Sequence, residues 1–332
     1  MRATRWRIAT WPCVGILIAS LAGCGNAGGH QVREMATGRR TTAVQPVPAP
    51  IALHVAGRVT LPAAVQLPAV SLVAGRVVAA GGLDAADASV ADVVRVAPGR
   101  PRRIARLPSA IHDAAAAGLG GRLLVFGGGS VSGSTAAIEA LGPGALVHAI
   151  GVLPAPSSDL AAARVGDAVY IVGGFTGSSP LRSIVRFQPG TPVRQVATLS
   201  RPLRYAAVAA LGSKLLIAGG TDGVHARREV LCFDPANGQL RLLARLAQPV
   251  AHAAGAALAG TFYVLGGRGD ASASQRRTIL AIDPSSGRVR RAGQLPRALS
   301  DLGAVTAGAR IWVVGGRDAA GTVQDHAWEL AR

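Results

Sequence analysis

The chain has 332 residues, 49% of them hydrophobic, with 43 glycines, 4% aromatics and 16% charged residues. That composition excludes a charge-rich disordered polymer and suits many short strands joined by tight turns. The formal charge of +18 rests on arginine, since Lys214 is the sole lysine; such a surface attracts anionic lipid, acidic glycan or nucleic acid. No basic cluster is interleaved with aromatics, so no nucleic-acid module is read, and the arginines are expected singly on solvated strand faces.

In chain order, the first element is an address. Arg2, Arg5 and Arg7 precede an apolar stretch from Ile8 to Leu21, and small residues follow, which is the layout of a secretory signal peptide. The stretch is short of the roughly 20 apolar residues that a spanning helix needs, and Pro12 interrupts it. It ends in Leu21-Ala22-Gly23-Cys24, which resembles the lipobox of bacterial lipoproteins. The resemblance implies cleavage after residue 23, lipidation of Cys24 and retention of the protein at a membrane of the cell envelope. Residues 24–50 contain Gly28-Gly29, Arg39-Arg40 and Pro46-Val47-Pro48-Ala49-Pro50 without apolar periodicity, and read as a flexible tether. Residues 51–332 are then the folded domain. Cys232, alone in a predicted strand, is expected to be a small buried hydrophobe.

The folded domain is a sixfold repeat. A Gly-Gly doublet ends an apolar run at Gly81, Gly127, Gly173, Gly219, Gly266 and Gly315, with spacings of 46, 46, 46, 47 and 49. A leucine stands 20 residues before each doublet: Leu61, Leu107, Leu153, Leu199, Leu246 and Leu295. Within a unit such as the fourth, Ala206 to Ala210 and Lys214 to Ala218 read as two strands. Glu229 to Phe233 reads as a third, and Gln239 to Leu246, after the turn at Asp234 to Gly238, as a fourth. Four antiparallel strands per unit describe a blade, and six blades an all-β propeller. The last unit has room for only one strand after its doublet, Ala327 to Leu330; Ala52 to Arg58 occupies the sequence position of a fourth strand and is expected to close the sixth blade.

An apolar run ending in Gly-Gly on a four-stranded repeat resembles the Kelch family of β-propellers across residues 51–332. That family usually carries Tyr and Trp after the doublet, whereas the first such position here is Val96, Leu141, Phe187, Phe233, Ile282 and Leu330. The doublets lack the Lys-Ser/Thr of a phosphate loop and the helix of a dinucleotide fingerprint, so no cofactor is read from them.

Candidate chemistry lies 14 residues before each doublet, where the innermost strand opens: Leu67, Asp113, Asp159, Tyr205, His252 and Asp301. Two residues later stand Ala69, Ala115, Ala161, Ala207, Ala254 and Gly303, small enough for strands crowding an axis. Carboxylates gathered at one mouth raise each other's pKa unless a cation or ligand compensates. Asp113, Asp159, Tyr205, His252 and Asp301, with Arg204 beside them, are therefore the expected ligand-binding residues, His112 and Ser158 being neighbours. Asp and His at strand starts also cap turns or hold channel water, and that reading stands beside the first. Later loops add Asp222, His225, Arg227, Arg228, Asp270 and Asp318.

Three classes of function follow. A binding or scaffold module presenting this face to an envelope protein or glycan is favoured, as a monomer with no cofactor and no metal. A carbohydrate enzyme is the alternative, because six-bladed Kelch proteins include the sialic-acid mutarotases. None of Glu34, Glu139, Glu229 and Glu329 falls on the ring, so only an aspartate-based acid/base pair would serve. A copper radical oxidase of the galactose oxidase kind is poorly supplied, with Tyr170, Tyr205 and Tyr263 and one cysteine in the domain.

Overall fold

The computed structural model describes residues 52–332. The signal segment, Cys24, the tether and the first residue of the predicted domain lie outside the described residues. Among the described residues no helix is long and apolar enough to cross a membrane.

Six four-stranded antiparallel sheets surround a central channel. Blade 1 runs from the inside out through Ala69–Val73, Arg76–Ala80, Val90–Ala97 and Arg102–Ile111. Blades 2 to 5 repeat the order, with inner strands Ala115–Leu119, Ala161–Val165, Ala207–Leu211 and Ala254–Leu258. In blade 6 the strands Gly303–Ala307, Arg310–Val314 and His326–Ala331 are joined at the outside by His54–Thr60. His54 lies opposite Ala331 and Thr60 opposite His326. The Leu53 N–H also bonds the Ala292 carbonyl at 2.7 Å, tying the same segment to the outer strand of blade 5.

Each inner strand begins on the small residue read from the sequence, because neighbouring inner strands nearly touch. At Gly303 an added Cβ would lie 2.2 Å from Val70 Cγ2, so even the alanine of the other blades does not fit. Second strands such as Ala168–Val172 and Thr261–Leu265 are buried on both faces, since each blade is sandwiched between two others. The core is accordingly a set of wedges between adjacent blades. Phe126 meets Phe187 edge to face at 5.6 Å, and Tyr170 meets Phe233 at 5.7 Å. All six repeat leucines are buried, from Leu61 at 7% to Leu246 and Leu295 at 0% exposure; each burial contributes about 1.5–3 kcal/mol. Cys232 is buried and free.

The doublets clasp the end of each blade's second strand to the chain that leads on to the next blade. Both glycines have positive φ in every blade. The second donates its N–H to a carbonyl where the chain leaves the outer strand for the next blade, for example Gly220 to Val250 at 2.8 Å; in blade 6 Gly316 donates to Val65, on the link from His54–Thr60 to blade 1, at 2.9 Å. A Cβ on the first glycine would lie 2.0 to 2.6 Å from those same carbonyls. Absence of a side chain is what lets the exit of the outer strand approach the second strand.

Candidate functional site

The six ring residues share one backbone state. Leu67, Asp113, Asp159, Tyr205, His252 and Asp301 all have φ between 52° and 60°, in the left-handed region. Asp and His tolerate that region better than most residues, whereas Leu and Tyr are strained there. The turn aims peptide groups around the channel. The N–H of Leu67 bonds the Asp301 carbonyl at 2.6 Å, Asp301 bonds His252 at 3.0 Å, His252 bonds Tyr205 at 3.1 Å, and Tyr205 bonds Asp159 at 3.2 Å. A belt of backbone hydrogen bonds thus links neighbouring blades and explains in part why this position opens each inner strand.

A second circle surrounds the first. The residue before each ring position pairs with the residue after the doublet: Gln66 with Leu83, His112 with Gly129, Ser158 with Phe175, Arg204 with Thr221, Ala251 with Arg268, and Ser300 with Arg317. The predicted ring and the loops after the doublets therefore share one face. Arg268, Phe175, Ser300 and Arg317 were not singled out from the sequence; their signal was the fixed offset from the doublet, which carries a different residue type in every repeat.

The side chains of the ring engage one another rather than standing free. Tyr205 reaches across the channel and donates its hydroxyl to Asp113 Oδ2 at 3.3 Å. Its ring stacks on His252, with centroids 3.7 Å apart and planes inclined by 22°. His252 Nδ1 lies 2.5 Å from Asp301 Oδ1, and Ser300 donates its hydroxyl to Asp301 Oδ2 at 2.5 Å. Arg268 Nη2 lies 2.9 Å from His252 Nε2. An arginine only donates, so Nε2 accepts and the ring proton sits on Nδ1, aimed at Asp301. Arg204 forms a salt bridge to Asp159 and lies over the Phe175 ring at 4.0 Å. His112 Nδ1 is 2.8 Å from Ser89 Oγ, while its Nε2 stands 3.9 Å from Asp113.

These contacts give equivalent carboxyls opposite electrostatics. Burial, reinforced by the Asp159 and Asp301 charges, pushes Asp113 well above the usual carboxylate range, and the Tyr205 hydrogen bond and Arg204 charge only partly oppose it. At Asp301 burial pulls the same way, but the His252 contact, the Ser300 hydroxyl and the Arg268 charge outweigh it and hold the group below its ordinary value. Burial and the carboxylates of Asp113 and Asp159 push the Tyr205 phenol up. Burial depresses His112, with Asp159 partly offsetting it.

Ring and small-residue belt line a cavity of about 140 Å³, comparable to one that holds a single benzene and below the roughly 300–1,000 Å³ of ligand pockets. It admits water or one ligand group. Among the described residues no set of three or more His, Cys, Asp and Glu side chains is placed to hold a metal ion. Of the loop residues, Asp222 caps its turn through the N–H groups of Val224 and His225 and pairs with Arg227. Asp270 accepts from the Ala226 N–H, with His225 at 3.5 Å. Arg228 Nε donates to the Leu246 carbonyl, and Asp318 caps its own turn at Ala320 and Thr322.

No curated protein matches this sequence. The solved structure of YjhT is similar in fold, with a TM-score of 0.70 at 16% identity over 81% of this chain and 95% of that one. A family model, the Kelch motif, matches residues 156–193, from the turn ahead of blade 3 to its third strand and the turn beyond. The chain is a six-bladed β-propeller carrying a Kelch motif.

Proposed function

We propose that the propeller is a binding module that presents the channel mouth to an envelope protein or glycan outside the cytoplasm, held at a membrane by lipid on Cys24. The observation that carries the binding reading is that the ring offers no free base. Asp159 is held by Arg204, Asp301 by His252 and Ser300, and the His252 Nε2 lone pair by Arg268. Asp113 and Tyr205 are both pushed toward their protonated forms. Such a network favours rigid recognition over proton transfer. The small cavity fits one projecting group of a larger partner, with Phe175 and Arg317 on the surrounding circle. Anchorage rests on the residue pattern ending in Leu21-Ala22-Gly23-Cys24.

A sugar isomerase is the second reading. Two carboxyls on one ring with pKa values driven apart are the raw material of an acid/base pair. One experiment separates the two: an envelope-protein and glycan binding screen, with anomeric exchange of a reducing-sugar panel followed by proton NMR. Binding predicts hits that weaken about tenfold in the Phe175→Ala, Arg317→Ala double variant, the scale of one lost charged hydrogen bond, with unchanged melting and no accelerated exchange. Exchange accelerated by the wild type and abolished in Asp113→Asn would overturn it.

A further inference from the structure

Blades 4 and 5 carry an arginine at the same repeat position, and only one of the two has a counter-ion. The N–H of Arg227 bonds the Gly220 carbonyl, and the N–H of Arg276 bonds the Gly267 carbonyl, so each opens the third strand of its blade in equivalent register. In blade 4, two residues beyond the doublet, Asp222 takes the Arg227 guanidinium. In blade 5 the residue two beyond the doublet is Gly269. A Cβ built there would lie 3.4 Å from Arg276 Nη2. The position from which a carboxylate would reach this arginine is therefore empty of side chain. Asp270, next in sequence, is turned to the Ala226 N–H of blade 4. Among the described residues the Arg276 guanidinium has no hydrogen-bond or ion-pair partner, although burial is sufficient to lower its pKa.

Arg276 lies in a cleft of about 590 Å³ between blades 4 and 5, within the size range of ligand pockets. Arg291 and Arg245 line the same cleft. Arg245 is paired with Glu229 at 2.7 Å, and the one contact of Arg291 is Thr278 at 3.5 Å. Arg290, Gln248 and Thr278 also line it, and Val250, Val264 and Leu280 supply an apolar part of the wall. A half-buried guanidinium without a counter-ion bears a desolvation cost that an anion relieves, and its planar fork matches carboxylate and phosphate. The matching cleft between blades 3 and 4, about 640 Å³, contains Arg227 already neutralised.

We propose that the cleft between blades 4 and 5 binds an oxyanion, phosphate or carboxylate, carried on a short apolar chain, with Arg276 as its counter-cation. This site is separate from the channel mouth. Calorimetric titration of the full-length protein with octyl phosphate, octanoate and inorganic phosphate tests it, with sedimentation on phosphatidylglycerol and phosphatidylcholine vesicles to tell a headgroup from a free ion. Octyl phosphate and octanoate should bind, and inorganic phosphate about tenfold or more weaker, having lost the buried methylenes. Gly269→Asp rebuilds the pair of blade 4. It should raise the melting temperature and weaken octyl phosphate about tenfold or more, as should Arg276→Gln. Arg102→Gln, the same charge change on blade 1, should leave binding intact. Pelleting with phosphatidylglycerol alone, reduced by Gly269→Asp, identifies a lipid headgroup as an accessible source. Octyl phosphate bound equally by wild type and Gly269→Asp, or no tighter than inorganic phosphate, would overturn the proposal.

Discussion

Asp113 in blade 2 and Asp301 in blade 6 occupy one repeat position, with φ of 55° and 60°, yet their surroundings drive their protonation apart. Asp301 faces the His252 and Arg268 side of the channel and takes a hydroxyl from its own blade. Asp113 looks across at other carboxylates and receives one phenol, with His112 nearly 4 Å away at 3.9 Å. The backbone is a property of the repeat, whereas the charge is a property of which blades stand next to each other. The electrostatics of such a mouth can therefore be retuned one blade at a time without disturbing the glycine clasps of the repeat.

The largest expected effect comes from breaking what the two regions share. Gly219→Ala sets a Cβ 2.2 Å from the Val250 carbonyl in a left-handed backbone, and should cost about 3 kcal/mol or more, read as a fall in the denaturation midpoint. A loss under about 0.5 kcal/mol, ordinary for a surface change, would show that the blades do not depend on the clasp.

A smaller effect separates the two aspartates. Asp301→Asn removes a charged acceptor and should lose about 1–3 kcal/mol at pH 7. Because folding lowers the Asp301 pKa, its contribution is present above the unfolded value of about 4 and is lost as pH falls through the folded value. Asp113 has the reverse sign. Its folded pKa is raised, so the stability linked to its proton is present below about pH 4 and is lost as pH rises toward and through the folded value. Asp113→Asn should be neutral or stabilising at pH 7, with the gain fading on acidification. Urea denaturation of both variants at pH 3.5 and pH 7 checks the pair, and parallel pH profiles would break the comparison.

How much of this was legible beforehand divides along the same line. The doublet register and the repeat leucines gave six blades, because a clasp that tolerates only glycine leaves a mark in every repeat. Ring membership followed from the same offset. The left-handed turn did not, since Leu67 and Tyr205 mask a preference that only the aspartates and His252 hint at. Partners were illegible for a different reason: Tyr205 and Asp113 are 92 residues apart and meet only across a closed channel. Arg204, expected among the ligand-binding residues, is held by Asp159 and stacked on Phe175, a contact that depends on blade 3 lying beside blade 4.

Carboxyl carbon NMR of aspartate-labelled protein, with resonances assigned through Asp113→Asn and Asp301→Asn, reads the divided ring most directly. Asp113 should titrate well above, and Asp301 below, the ordinary value of about 4. Titration of both carboxyls together near that value would contradict the internally compensated mouth on which the binding reading rests.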